Sequence, residues 1–150
     1  MNAIILGCGR VGATLARRLY RDGHAVTVID LSGEAFRRLG PRFKGQRLVG
    51  NGLDQDVLKR AGIEGCDVFV AVTQGDNRNI MAAQIARVVY QVARVITRIN
   101  DPIRADAYRE LGLITICSPT IVSGLIRDFL TDERWALEHD YNHEYIEMNV

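Results

Sequence analysis

Three glycines near the amino terminus have the spacing G-x-G-x-x-G, which is typical of loops that bind phosphate. The motif is Gly7-Cys8-Gly9-Arg10-Val11-Gly12, and it lies between a short apolar run and a helical pattern. In such a loop the first glycine allows a tight turn and the second lets backbone N–H groups approach phosphate. The third lets the helix pack closely on the strand. Because a helix N-terminus also attracts anions, the motif predicts a site for a phosphate-bearing ligand.

Two charged residues add to this expectation. Asp30 ends the second apolar run, 18 residues after Gly12. A carboxylate there accepts hydrogen bonds from the two ribose hydroxyls and repels a 2′-phosphate, which disfavours NADP. Arg10 lies inside the loop, and we expect its guanidinium to contact phosphate, since the positive end of a helix does not favour an arginine otherwise.

Polar residues also follow two later apolar runs. Thr73 and Gln74 come after the fourth run, so their hydroxyl and amide are expected to face base, ribose or phosphate, while Asp76 is expected to cap the next helix. Arg98 is a charged residue near the end of the fifth run. A buried arginine needs an anionic partner, and Asp101, another acid or a ligand phosphate would each serve.

These residues must be positioned by alternating strands and helices. Continuous apolar runs predict buried parallel strands at residues 3–6, 25–29, 46–49, 68–72, 95–99 and 113–116. Helical patterns follow the runs, at residues 32–39 and 76–90 among others, with Asp54, Asp101-Pro102 and Pro119 as helix starts. The pattern predicts an α/β fold, a Rossmann-like doubly wound parallel sheet of six strands with flanking helices.

Composition narrows the class of protein. The chain has 150 residues, of which 47% are hydrophobic and 25% are charged, as in an ordinary globular domain. Its longest apolar runs are too short for a signal peptide or a membrane span, so we expect a cytoplasmic protein without direct membrane insertion. The net charge of +1 gives no support for nucleic-acid binding. Cys8, Cys66 and Cys117 have no metal-type spacing and are expected to be structural.

Charge is unevenly distributed along the chain. Residues 131–150 have a single base, Arg134, and twelve acids and eighteen bases remain in residues 1–130. The acids of this last segment are Asp132, Glu133, Glu138, Asp140, Glu144 and Glu147. We therefore expect a nucleotide-binding domain at residues 1–131 and an acidic tail at residues 132–150. His139 and His143 would form a metal pair only if the tail is helical, and we expect no metal site there.

Several further segments carry a resemblance to a known family. They are Val28-Ile29-Asp30, Val49-Gly50-Asn51-Gly52, Val70-Ala71-Val72-Thr73, Asp76-x-x-Asn79, Ile96-Thr97-Arg98-Ile99-Asn100 and Ile116-Cys117-Ser118-Pro119. In this order, with the glycine loop, they resemble the RCK (KTN) nucleotide-binding domain. That family comprises the ligand-sensing domains of Trk and Ktr potassium-uptake regulators and of many prokaryotic potassium channels. The resemblance covers about residues 1–130 and is nearest to the Trk-type regulatory subunit.

The resemblance implies a ligand and a role. The ligand is NAD(H) or ATP/ADP, bound without turnover, and its binding opens or closes a partner potassium channel or transporter from the inner face of the cell membrane. The implied contacts are a phosphate loop at Gly7, Cys8, Gly9, Arg10, Val11 and Gly12, ribose at Asp30 and Leu31, and adenine near Asn51 and Gly52. Thr73 and Gln74 would line the site, and Arg98 would approach phosphate. An arginine at the Arg10 position favours a polyphosphate ligand in this family.

The end of the chain has two further features. Residues 121, 122, 125, 126, 129 and 130 form an apolar stripe along the last predicted helix, which would cover the domain's own core or a second copy of the chain. In the family this helix crosses to a neighbouring subunit, so we expect a homodimer or higher ring through residues 119–130. Glu144 to Val150 resembles the first strand of a carboxyl-terminal RCK domain, and we expect that domain to be truncated or absent.

The residues show no catalytic constellation. A nucleotide-sensing regulatory subunit that is not an enzyme is therefore the leading hypothesis. Two alternatives remain open: a small NAD-dependent oxidoreductase, which would need a second substrate-binding lobe, and a ligand-binding interaction module without a transport partner.

Overall fold

The computed structural model describes residues 1–131 and consists of a six-stranded sheet with helices on both faces. All strand pairs are parallel, and the spatial order is β3-β2-β1-β4-β5-β6. The strands are β1 (Asn2–Leu6), β2 (Ala25–Asp30), β3 (Gln46–Val49), β4 (Val68–Ala71), β5 (Arg94–Arg98) and β6 (Ile114–Ile116). The predicted Rossmann-like fold class is confirmed.

Four of the five α-helices described in residues 1–131 connect successive strands, and the fifth follows the last strand. They are α1 (Arg10–Arg21), α2 (Gln55–Arg60), α3 (Asp76–Gln84), α4 (Pro102–Glu110) and α5 (Ser118–Leu130). A 3-10 helix, Gly33–Leu39, follows β2, a 3-10 turn, Ile63–Gly65, precedes β4, and a π-helical segment, Ile85–Val89, prolongs α3. The helix predicted at residues 32–39 is thus a tighter 3-10 helix, and the Ser32 side chain does not cap it.

The sheet separates two apolar cores. Ala3 and Ile5 of β1 face the core that α1 and the 3-10 helix Gly33–Leu39 cover, whereas Ile4 and Leu6 face the core under α2 and α3. Both faces of β1 are therefore buried, which explains its continuous apolar sequence. By contrast, no residue of α5 is buried within the described part of the chain.

The strand order reverses next to β1, which has β2 on one side and β4 on the other. Leu6 is in register with both Ile29 and Ala71, so the three strands end at one edge of the sheet. Ligands of open α/β sheets bind beyond the carboxyl ends of the strands at such a switch point. No helix within residues 1–131 is long and apolar enough to cross a membrane.

Candidate functional site

A cavity of about 280 Å³ opens at the carboxyl edge of the sheet, around the switch point. Many of the residues that the sequence predicts for a ligand site line it: Gly7, Cys8, Gly9, Asp30, Leu31, Gly52, Thr73 and Gln74. Leu6, Ala35, Arg38, Val72 and Arg78 complete the lining. The chain therefore brings together residues from the ends of β1, β2, β3 and β4 at one concave surface.

The three glycines of the loop have different structural roles. Gly7 has a φ of +105°, and an added Cβ would lie 3.0 Å from the backbone nitrogen of Thr73. At Gly12 a Cβ would overlap the carbonyl oxygen of Gly7. The predicted tight turn and close helix packing are thus confirmed. A Cβ at Gly9 would meet no atom within 4 Å, so the packing of the described residues does not require glycine there.

Helix α1 begins at this loop without a side-chain cap. Gly9 is its N-cap residue, and no acidic residue lies in its first turn. The first backbone hydrogen bond of the helix runs from Ala13 N to Gly9 O at 2.9 Å, so the N–H groups of residues 10–12 have no intrahelical acceptor. In contrast, the side chains of Asp54 and Asp101 cap α2 and α4. The start of α1 therefore offers backbone donors and a partial positive charge next to the cavity.

Asp30, at the end of β2, is held in place by two backbone donors. Its Oδ2 accepts a hydrogen bond from Cys8 N at 2.6 Å, and its Oδ1 accepts one from Ser32 N at 2.9 Å. Each carboxylate oxygen can accept more than one hydrogen bond, so a pair of ribose hydroxyls can still be bound. The contacts orient the carboxylate before any ligand arrives.

Cys8 contributes its backbone N–H to the site, whereas its thiol is not available for chemistry. Its side chain is buried, and its Sγ lies 3.3 Å from the carbonyl oxygen of Ala35, to which the thiol donates. Burial raises the pKa of the Cys8 thiol to about 11, and the nearby Asp30 carboxylate acts in the same direction. The thiol therefore stays protonated near neutral pH, which agrees with the structural role predicted for this cysteine.

The polar groups of Thr73 are engaged within the protein. Its N–H and hydroxyl donate to Asn79 Oδ1 at 2.8 and 2.7 Å, and its carbonyl oxygen accepts from Asn79 Nδ2 at 3.0 Å. Arg98 Nη2 donates to the same carbonyl at 2.6 Å, and Arg98 Nε is buried without a partner among the described residues. Thr73 thus lines the cavity, whereas Arg98 lies behind it and is held by a backbone carbonyl instead of an acid.

Asp76 does not cap α3, and that prediction is wrong. The N-cap residue is Gly75, and no side chain caps the helix. The Asp76 carboxylate instead accepts hydrogen bonds from Asn100 N at 3.0 Å and from Asp101 N at 3.1 Å. The reason is that these two N–H groups follow β5 on the same edge of the sheet, where the carboxylate can reach them. Asp76 therefore ties α3 to the end of the neighbouring strand.

The other predicted residues lie beside the cavity and do not line it. Arg10 and Val11 are exposed on the first turn of α1, and Gly12 is buried beneath the loop. Asn51 Oδ1 accepts a hydrogen bond from Leu53 N at 3.1 Å, which shapes the turn after β3. Whether these residues, or Arg98, meet a ligand stays a prediction.

Sequence reasoning missed two cations of the cavity, Arg38 and Arg78. Arg38 lies on the 3-10 helix after β2, and Arg78 lies in the first turn of α3 after β4. Both are exposed, and neither forms an ion pair or hydrogen bond with another residue in the range 1–131. The available signal was their position, since each lies in the helical segment that follows a strand ending at the cavity.

A larger groove of about 660 Å³ lies between α1 and residues 39–43. Four arginines line it, Arg17, Arg18, Arg21 and Arg42, but no residue of the glycine loop does. We place the candidate site in the smaller cavity because convergent polar groups and the switch point meet there.

Residues 1–131 contain no group of three or more His, Cys, Asp or Glu side chains that could hold a metal ion. His139, His143 and the rest of the acidic tail lie outside the described residues.

Comparison with known proteins gives consistent results. A family model described as the TrkA-N domain matches residues 3–119. A Streptomyces coelicolor protein named Trk system potassium uptake protein TrkA is 50% identical over 118 residues, which are 79% of this chain and 53% of that protein. The chain spans about half the length of this relative. The predicted resemblance is confirmed.

Solved structures with this fold are more distant in sequence. The TrkA-N domain of the inner membrane protein ybaL from Escherichia coli superposes with a TM-score of 0.77 at 18% identity, over 86% of this chain and 96% of that one. GsuK bound to ADP has a TM-score of 0.73 at 20% identity, over 88% of this chain and 34% of that one. The GsuK channel bound to NAD has a TM-score of 0.66 at 18% identity, over 81% of this chain and 22% of that one. At these identities the likeness concerns the fold.

Proposed function

The chain belongs to the TrkA-N domain family, and from this we propose that it is the nucleotide-sensing domain of a regulator of potassium transport. The Streptomyces coelicolor relative is named a potassium uptake protein, and GsuK structures with this fold hold ADP or NAD. For this chain we propose NAD(H) or ATP/ADP as a regulatory ligand that is bound and released unchanged. Residues 1–131 form the proposed domain.

The observation that carries the proposal is the geometry at Gly9. Nothing among the described residues requires glycine there, whereas Gly7 and Gly12 are each required by close contacts. The space that Gly9 leaves free adjoins the uncapped start of α1 and the cavity. A phosphate group of a bound ligand explains all three features, because it needs close approach to backbone N–H groups.

The proposed orientation of the ligand follows from Asp30. The ribose of an adenosine would bind the carboxylate at the end of β2, with Leu31 beside it and the adenine toward Gly52 and Asn51. The phosphates would then lie at the N-terminus of α1. Arg10 is the first residue of this helix, and its guanidinium would neutralise one of the phosphates. Thr73 and Gln74 would border the far side of the site.

Regulation of the partner would depend on how strongly each ligand favours one arrangement of the paired domains. Two ligands that favour different arrangements of paired domains shift the population of each arrangement by their differential affinity. We propose that copies pair through the helix at residues 119–130, and that the pair acts on a potassium channel or transporter at the inner face of the cell membrane. The protein itself would be cytoplasmic and attached through this partner.

Gly9→Ala tests the ligand site. For the unchanged chain we expect NADH, NAD, ATP or ADP at millimolar concentration to raise the melting temperature, because a ligand that binds only the folded state stabilises it. In Gly9→Ala the added methyl group occupies the phosphate position, and we expect affinity to fall at least tenfold. Loss of a glycine N-cap should cost about 1 kcal/mol or less of folding stability.

Gly65→Ala is the matched control. Gly65 is exposed and remote from the cavity, and a Cβ there also meets no atom within 4 Å. This variant should bind nucleotide as the unchanged chain does. The proposal fails if none of the four nucleotides raises the melting temperature, or if Gly9→Ala and Gly65→Ala bind them equally well.

A further inference from the structure

Arg38 and Arg78 stand on opposite sides of the glycine loop. Arg38 follows β2 and Arg78 follows β4, and β1 with its glycine loop lies between those two strands. Adjacent strands of a sheet are about 4.8 Å apart, so the two segments start roughly 10 Å from each other at the sheet edge. Both side chains line the same cavity. The cavity is therefore lined by one arginine on the β2 side and by one on the β4 side.

Arg38 and Arg78 form no hydrogen bond or ion pair with other residues in the range 1–131. Other arginines near the sheet edge donate to internal acceptors: Arg98 to the Thr73 carbonyl at 2.6 Å, and Arg104 to Asn77 Oδ1 at 2.7 Å. Arg38 and Arg78 have no such acceptor within residues 1–131. Both guanidinium groups can thus turn toward an anion in the cavity without breaking an existing contact.

Among residues 1–131, Asp30 is the only acid that lines the cavity, and its position distinguishes the two ends. Asp30 ends β2, on the Arg38 side, and its carboxylate is fixed by Cys8 N and Ser32 N. A ribose bound to Asp30 places the first phosphate near the start of α1. Further phosphates must then extend past β1 toward β4, which is the side where Arg78 lies.

We propose that Arg78 makes this site discriminate nucleotides by the phosphates that follow the first one, so that affinity rises from AMP to ADP to ATP. The inference rests on the proposed function and assigns a specificity-determining residue within that site. A terminal phosphate carries more charge and more free oxygens than the second phosphate of a dinucleotide, which is esterified to another ribose. A guanidinium pairs with such a terminal group through two parallel hydrogen bonds.

The test compares Arg78→Gln with Arg38→Gln in the full chain. Calorimetric titration with AMP, ADP, ATP and NADH should show ATP bound most tightly by the unchanged chain. In Arg78→Gln we expect the affinities for ATP and ADP to fall about tenfold and that for AMP to stay within threefold. Arg38→Gln should weaken all three mononucleotides by similar factors, because Arg38 lines the cavity on the side of Asp30, where the adenosine is proposed to bind.

Two further variants separate charge from structure. Arg78→Lys keeps the positive charge and should retain part of the preference for ATP. Arg60→Gln removes an exposed cation of α2 outside the cavity and should bind every nucleotide normally. Since Arg78 is exposed and forms no hydrogen bond or ion pair within residues 1–131, its variants should melt at the temperature of the unchanged chain when no ligand is present.

The outcomes are distinguishable. If the unchanged chain binds adenine nucleotides but Arg78→Gln weakens AMP as much as ATP, or weakens neither, the role of Arg78 is overturned and the proposed function stands. If the unchanged chain binds AMP, ADP and ATP equally, the inference fails in the same way. If it binds no nucleotide, both the inference and the proposed function fail.

Discussion

Asp30 links the shape of the glycine loop to the proposed ribose contact, because each of its carboxylate oxygens already accepts one backbone N–H. In Asp30→Asn one of these oxygens becomes an NH₂ group that faces a donor. We expect a loss of about 1.5–3 kcal/mol in the free energy of unfolding, since hydrogen bonds to charged groups contribute that much. Affinity for NADH should also fall, while the relative disadvantage of NADPH becomes smaller because the negative charge is gone. Denaturant unfolding and calorimetric titration measure the two effects.

Asp22→Asn is the control for this substitution. Asp22 is an exposed acid at the opposite end of α1, and within residues 1–131 its side chain makes only a long ion pair of 3.8 Å with Arg21. Its replacement should change neither stability nor affinity appreciably. An Asp30→Asn variant that matches Asp22→Asn in both measurements would remove Asp30 from the site.

Single residues differ in how well the sequence predicts their roles. The roles of Gly7 and Gly12 are readable because the motif specifies backbone geometry, and the structure confirms both. The partners of Thr73, Asp76 and Arg98 are not readable, because they depend on which groups of neighbouring strands meet at the sheet edge. Thr73 lines the cavity as predicted, but its hydroxyl donates to Asn79. Asp76 accepts hydrogen bonds from the loop after β5 instead of capping α3.

Among the elements, the end of β4 depends on one buried side chain of α3. Asn79 accepts two hydrogen bonds from Thr73 and donates to the carbonyl oxygens of Thr73 and Arg98. It thereby joins the ends of β4 and β5 to the helix. Asn79→Ala would remove all four of these hydrogen bonds, although the Thr73 carbonyl would still accept from Arg98, and we expect a cost of about 2–4 kcal/mol in unfolding free energy. Because the cavity wall at Thr73 would loosen, nucleotide affinity should fall as well.

Asn77→Ala provides a comparison on the same helix. Asn77 is exposed, and in the described part of the chain its side chain accepts a single hydrogen bond, from Arg104. Its loss should cost well under 1 kcal/mol. Chemical denaturation of both variants tests the assignment, and equal stability of the two would show that Asn79 does not hold the strand ends together.

Strands and helices were predicted unequally well for a physical reason. A strand buried on both faces needs a continuous apolar run, and such runs are conspicuous, so all six strands were found. Whether a helix is α, 3-10 or π depends on small differences in backbone geometry. The 3-10 helix Gly33–Leu39 and the π-helical segment Ile85–Val89 differ from an α-helix in hydrogen-bond spacing and in residues per turn. Hydrophobic periodicity over so few residues does not resolve these differences.

At the scale of the whole molecule, α5 carries an apolar stripe, and no residue of this helix is buried within residues 1–131. Its stripe includes Val122, Ile126 and Leu130, which are 52%, 55% and 80% exposed. The sequence left open whether the stripe covers the domain's own core, and the exposure speaks against that. Contiguous exposed apolar surface of this kind usually marks a protein interface. This supports the proposed pairing of two copies through residues 119–130.

We therefore expect sedimentation to show a dimer or larger assembly that dissociates on dilution. The double variant Val122→Lys with Ile126→Lys would bury two charges in the interface, which is unfavourable without partners, and should sediment as a monomer. Ser123→Lys is the control, because Ser123 is exposed on the same helix but outside the stripe. Since none of the three positions is buried, all variants should keep the melting temperature of the monomeric domain. A chain that remains monomeric at every concentration, or a double variant that assembles as well as Ser123→Lys, contradicts pairing through α5.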